Sequence, residues 1–294
     1  MTFDTYIIKY YYMMWVSKVS GFMHMLFCVK CYVTTYMQAW RLECLLIFIS
    51  LYINEGIYMS FPMTHMLIAY KIVNRRLGSM PERSYNPASF IVGSIAPDVV
   101  HFRDDYCGEI KGRSHLWHYG PRWGITTDFD GWLNNILAFY ESMKESNIER
   151  SFLEGYVTHL LTDYLNDKLL WIKFRDRYLD LSQGMEELRE GVSQAEWDEA
   201  FATYRKELYI TNQWLYGNTK EADEILHLLE TGERIIIKDY YEMPEYNAAI
   251  ESLCHDQFSK KDDYGEAACR YYTPKVACDF IDDSVEYISH ALGL

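Results

Sequence analysis

After residue 60 the apolar positions of this chain recur at the spacing of buried helix faces, and strand-like alternation of useful length is missing. Thr64 is placed to cap a first helix that runs through Met66, Leu67, Tyr70, Ile72 and Val73 and ends near Arg76 and Gly78. Residues 79–86 read as a loop. Pro87, at a first helical position, opens a short helix over 88–95. Ala96-Pro97-Asp98 stops it, because the residue before a proline avoids helical geometry. Residues 99–127 show no period and are rich in polar and aromatic side chains, which predicts a long irregular loop with a function. An amphipathic helix follows over 128–145, with Trp132, Leu133, Ile136, Leu137 and Tyr140 on its apolar face, and then a helix over about 149–170. Further helices are predicted over 185–209, 220–229, 248–258 and 273–292, the last with Pro274 at its start. Ile235, Ile236 and Ile237 form the one short strand candidate. The pattern therefore predicts an all-α fold.

Composition divides the chain. Residues 1–58 hold only seven charged side chains and crowd Tyr, Met and Cys together, as in Tyr10 to Trp15. The longest apolar run there, about 44–53, is too short to span a bilayer, and the segment lacks the basic start and cleavage site of a signal peptide. The expectation is an atypical N-terminal extension that is not part of the working domain, with Met59 as the natural start of a domain over 59–294. The rival is a membrane-associating segment. The net charge of −14 disfavours non-specific binding to nucleic acid or to anionic membranes. The seven cysteines form no regular framework. Cys28 and Cys31 make a C-x-x-C without a second pair, so a reducing, cytoplasmic setting is expected.

The candidate chemistry centres on residues 155–167. His159 and Asp163 lie one turn apart on one helical face, a spacing at which an imidazole and a carboxylate can hold one divalent ion. Asp167 extends the stripe by another turn. Val157, Leu160, Leu161, Tyr164 and Leu165 make the rest of the helix apolar, so the polar pair must be hydrogen-bonded to itself or bound to metal. Upstream stand His65, then Asp98 and His101, then Ser114, His115 and His118. Five of the nine histidines thus fall between 65 and 159. Histidine and carboxylate donors without cysteine suit a catalytic zinc or another divalent ion open to water.

Pro62-Met-Thr-His65, Phe90-Ile-Val-Gly-Ser-Ile-Ala-Pro-Asp98, Ser114-His115 and Gly155-Tyr-Val-Thr-His-Leu-Leu-Thr-Asp163 together resemble the bacterial zinc-dependent phospholipase C family. Fungal zinc nucleases for single strands share its fold and ligand logic. The resemblance covers about residues 60–167. It implies a compact multi-helix bundle with a metal-binding cleft. It also implies a zinc held by Asp98, His115, His159 and Asp163, with Asp163 bridging to a second zinc on His65. Family members add a free N-terminal amine, which neither Met1 nor Met59 reproduces. They add two further histidines and a glutamate soon after the H-x-x-x-D helix, whereas the next histidine here is His227. His101 or His118 is the substitute ligand for a second ion.

The implied activity is metal-assisted hydrolysis of a phosphoester, with a small phosphoester or a phospholipid as substrate. Asp98 both contacts metal and takes the proton from water. Asp167 either orients a ligand or pairs with Lys168 or Arg175. Trp117, Tyr119, Trp123 and Phe129 either line a substrate cleft or anchor the loop. An HD-type phosphohydrolase would need an adjacent His-Asp, and His255-Asp256 stands far from the other candidates in sequence. The remaining alternative is a non-catalytic metal-binding or scaffold protein with the same fold. The oligomeric state is left open.

Overall fold

The structure, a computed structural model, describes residues 61–77, 85–121, 123–179, 193–259 and 269–294. The expectations for residues 1–58, including Cys28 and Cys31, lie outside the described residues, as do those for 79–84 and 185–192. The described residues all fall within the unit Gly56–Leu294. They are helical, and no strand occurs among them. Residues 235–237 form no strand.

Helix α1 spans Pro62–Leu77. It starts at Pro62 rather than after Thr64, because proline is preorganised for a first turn and buried Phe61 anchors the entry against Tyr272 and Phe280. Thr64 lies inside the helix, and its backbone N–H donates to Asn212 Oδ1 at 3.0 Å. Helix α2, Pro87–Gly93, begins where proline predicts, with Asn86 as the N-cap. The stretch expected to be irregular is so only over 103–107 and, among the described residues, 115–127. A 3-10 helix occupies Ala96–Phe102 and helix α3 occupies Gly108–Ser114. Each is seven residues long, too short to impose a readable apolar period.

Helix α4 covers Phe129–Met143 behind the N-cap Asp128. Helix α5 covers Arg150–Leu165 and passes into a π-helical stretch, Asn166–Trp171, and then α6, Ile172–Tyr178. The remainder is α7 over Gln194–Asn218, α8 over Ala222–Thr231, α9 over Met243–Glu251 with a second π stretch Ser252–Gln257, and α10 over Pro274–Leu292. No helix among the described residues is long and apolar enough to cross a membrane.

Helix α5 is the axis. Every residue in it except Arg150 and Asp163 is buried, the state of a helix packed on all sides. It contacts α1, α2, the 3-10 helix, α4 and α10. Its contact with α2 is backbone on backbone. A Cβ on Gly155 would stand 2.1 Å from the Phe90 carbonyl oxygen, and one on Gly93 would stand 2.2 Å from that of Phe152. Only glycine at both positions permits this approach, and the approach brings the end of α2 beside the polar stripe of α5.

Candidate metal centre

Five side chains from four separate elements meet at that crossing. α1 supplies His65, the 3-10 helix supplies Asp98, the end of α3 supplies His115, and α5 supplies His159 and Asp163. They form two overlapping triads, His65–Asp98–His159 and His115–His159–Asp163, with donor atoms within 4.8 Å of one another in each. All are buried except Asp163, which is partly open.

The backbone fixes the imidazole tautomers. His159 Nδ1 lies 2.7 Å from the Ser94 carbonyl oxygen, and His115 Nδ1 lies 3.0 Å from that of Lys111. A carbonyl only accepts, so His159 Nδ1 carries the proton and its Nε2 presents a lone pair, whereas His115 Nδ1 also lies 2.9 Å from the Ser114 hydroxyl, which can either donate or accept. The two Nε2 atoms stand 3.3 Å apart. Asp98 Oδ1 lies 3.1 Å from His115 Nε2 and 3.9 Å from His159 Nε2. Asp163 Oδ2 lies 3.4 Å and 3.8 Å from the same two nitrogens. Two imidazole nitrogens and two carboxylate oxygens thus converge on one point, a set that a cation would draw together. That donor set, imidazole and carboxylate without thiolate, fits zinc.

The other Asp163 oxygen, Oδ1, lies 3.3 Å from His65 Nε2. The two carboxylate oxygens therefore face different histidines, as a bridging ligand would. The His65 ring stacks on His159 with centroids 3.8 Å apart, and its Nδ1 is buried with no hydrogen-bond partner.

The electrostatics favour a metal-ready state. Burial and neighbouring His65 push His159 down to about 3, so its imidazole is neutral at pH 7. Burial alone would raise the two carboxyls. Against it, Lys111 and His101 hold Asp98 well below the usual carboxylate range, and the hydrogen bond to His65 with the neighbouring imidazoles does so for Asp163.

The three auxiliary candidates separate. His101 follows Asp98 by three residues in a 3-10 helix, so the two share a face, and its Nε2 lies 3.1 Å from Asp98 Oδ1. It touches the cluster through Asp98 and belongs to neither triad. Burial pushes His101 down to about 4. His118 does not join. Leu116 takes a positive φ of 52°, which turns the chain after His115, and His118 is exposed and stacked on Tyr119. Asp167 pairs with neither Lys168 nor Arg175 by a direct hydrogen bond; it accepts one from Thr126, and the Lys168 ammonium donates to the Tyr164 hydroxyl at 2.8 Å. Burial and the nearby Asp163 charge raise Asp167 to about 6.

Trp117 and Trp123 line a cavity of about 640 Å³ with His118 and with Gly108, Glu109, Gly112 and Arg113 of α3. Lys111 and His115 follow α3 on its other face, toward the acidic cluster. Tyr119 and Phe129 are not among the lining residues; Phe129 packs edge-on against Tyr164.

Sequence reasoning did not single out Lys111, whose Nζ lies 3.9 Å from Asp98 Oδ1. The available signal was its place four residues before His115. The Ser94 and Lys111 carbonyls left no signal, because a backbone oxygen is the same in every residue. Compared with known families, residues 64–165 match the family model described as zinc dependent phospholipase C. No curated protein and no solved structure matches the chain.

Proposed function

We infer, from the match of residues 64–165 to the zinc dependent phospholipase C family model, that this protein is a zinc-dependent hydrolase of a phosphoester. One observation carries the reading: imidazole nitrogens and carboxylate oxygens of Asp98, His115, His159 and Asp163 face one another at 3.1–3.9 Å. These four residues are the proposed ligands of a first zinc, and His65 with Asp163 those of a second. When bound, zinc supplies Lewis acidity, which activates water near neutral pH and offsets charge on phosphoryl oxygens.

The chain's own residues do the rest. The Ser94 carbonyl holds His159 in the tautomer that presents Nε2, and the Lys111 carbonyl with the Ser114 hydroxyl orients the His115 ring. Among the described residues, the hydrogen bonds to the Asp98 side chain fall on Oδ1. Oδ2 is then the proposed acceptor of the proton from the attacking water. Asp163 is the one member of the cluster that is not buried, and the proposed entrance is on its side. The substrate class is a small phosphoester or a phospholipid. The net charge of −14 makes long polyanions poor substrates.

The test is metal analysis of the full chain with turnover of a phosphomonoester, a phosphodiester and a phospholipid. The expected result is bound zinc and chelator-sensitive hydrolysis of at least one of them. Activity should hold below the ordinary imidazole range and fall only in stronger acid, because burial and His65 keep His159 down to about 3 and protonated histidine releases metal. Bound zinc with no turnover would make this a metal-binding scaffold, and a protein that takes up no zinc would overturn the reading altogether.

A further inference from the structure

We propose that Lys111 is the phosphate-holding cation of this site, its ammonium taking a non-bridging oxygen of an anionic phosphoryl group brought to the cluster. The inference rests on the phosphoester reading above and names a residue that the metal ligands leave unassigned.

Lys111 and His115 are four residues apart at the end of α3 and so share a face. The Lys111 ammonium therefore stands one turn from a proposed ligand. Its nearest carboxylate oxygen, Asp98 Oδ1, is 3.9 Å away, beyond hydrogen-bond reach. That oxygen already stands 3.1 Å from both His101 and His115. The ammonium is thus held near the cluster by charge without being used up by it.

Trp123 sets its position. The Lys111 Nζ lies 4.3 Å from the Trp123 ring centroid, a cation–π contact, and the same ring meets His115 edge-on at 5.1 Å. One indole therefore fixes the distance between the ammonium and a proposed metal ligand. The Lys111 side chain is 17% exposed, which keeps it at the mouth while its stem is covered. A phosphoryl group with one oxygen toward the cluster leaves other anionic oxygens facing outward. An ammonium at the mouth, with three donors and no acceptor, answers that charge. The Lys111 carbonyl, which orients His115, is untouched by changing the side chain.

The experiment measures inorganic phosphate binding by calorimetry on the zinc-loaded full chain, with zinc content and melting temperature recorded beside it. Lys111→Met should weaken phosphate about tenfold to a hundredfold, the worth of one charge-assisted hydrogen bond. Zinc content should not change. With a phosphoester substrate, KM should rise by a similar factor and kcat should move little, because the contact is made in both ground and transition states. Lys111→Arg should recover most of the phosphate affinity. Equal phosphate affinity in wild type and Lys111→Met would overturn the proposal, as would a wild type that binds no phosphate. A Lys111→Met protein that loses zinc but keeps phosphate affinity per zinc would also overturn it, since Lys111 would then only neutralise Asp98. Lys111-dependent phosphate binding in a protein that hydrolyses nothing would support the proposal while sinking the hydrolase reading.

Discussion

Helix α5 carries two buried charged clusters, and they are built on opposite principles. Glu154 is fully buried, and every group around it is a donor. Its Oε1 accepts from Arg150 at 2.8 Å and Tyr140 at 3.2 Å, and its Oε2 accepts from Tyr85 at 2.7 Å with Arg76 at 3.8 Å. Five residues on, His159 is equally buried but faces His115, Asp98 and Asp163, which present acceptors. The first cluster surrounds its carboxylate with donors. It ties α4 and α5 to the end of α1 and to Tyr85, two residues before α2. The second sets imidazoles and carboxylates around one point, which a cation would complete. Burial does not distinguish a structural ion pair from a ligand site; the balance of donors and acceptors does.

That contrast predicts effects of opposite sign. Glu154→Ala leaves Arg76, Arg150 and two phenols around an empty space. It should destabilise the protein by about 3–5 kcal/mol, as breaking a buried charge network does, whether or not zinc is present. Asp163→Asn puts an amide donor among facing acceptors. In chelator its melting temperature should match or exceed that of wild type. Zinc should stabilise wild type, because it binds only the folded form, and should leave Asp163→Asn unmoved. Chemical denaturation with and without zinc measures all of this. An Asp163→Asn protein that is clearly weaker in chelator would mean that the second cluster is a self-contained network like the first.

The close crossing of α2 and α5 serves both clusters and offers a smaller test. Gly155→Ala sets a methyl group 2.1 Å from a carbonyl oxygen on another helix, so the helices must part. Overpacking of this kind costs about 1–3 kcal/mol. The same displacement pulls His159 from the Ser94 carbonyl and Asp98 from its partners, so zinc affinity should fall about tenfold or more. Wild-type zinc affinity in a folded Gly155→Ala protein would show that the crossing supports the fold without setting the site.

The site could be foreseen in part because helical spacing is a local rule. His159 and Asp163 share a face in any α-helix, and a glycine four residues before His159 marks a close approach once a partner helix is known. That Asp98 and His115 reach the same point came only through resemblance, because nothing local fixes how short helices fold over α5. The same limit explains the misplaced start of α1 at Thr64, whose N–H is taken by Asn212 from 148 residues away. It also explains His118: the positive φ of Leu116 falls on a residue type that gives no warning of it. The π-helical stretch after Leu165 likewise carries no periodic signature and shifts the register at Asp167.

Asp167 supplies the finest test, because it fits neither cluster. It has one donor, Thr126, and it feels Asp163, so its carboxyl is raised from 3.8 to about 6 by burial first and by that charge second. The folded state therefore holds a proton that the unfolded state releases. The stability this contributes is full below pH 3.8 and is lost as pH rises through about 6. A shift of this size corresponds to about 3 kcal/mol, and partial exposure reduces it to about 1–2 kcal/mol. Asp98 and Asp163 act the other way, since their carboxyls are held low in the fold and their contribution is lost only as pH falls below the ordinary carboxylate range. Between about pH 4 and 6 the buried His101 and His159, held down to about 4 and about 3, add stability as pH rises, but they do so in wild type and in Asp167→Asn alike, so the difference between the two proteins reports Asp167. In chelator, wild type should lose stability across that window relative to Asp167→Asn, which has no carboxyl to titrate. Zinc neutralises Asp163 and removes part of what raises Asp167, so the difference between the two proteins should shrink on metal loading. Parallel stability curves in chelator would show that Asp167 ionises in the fold as it does in the unfolded chain.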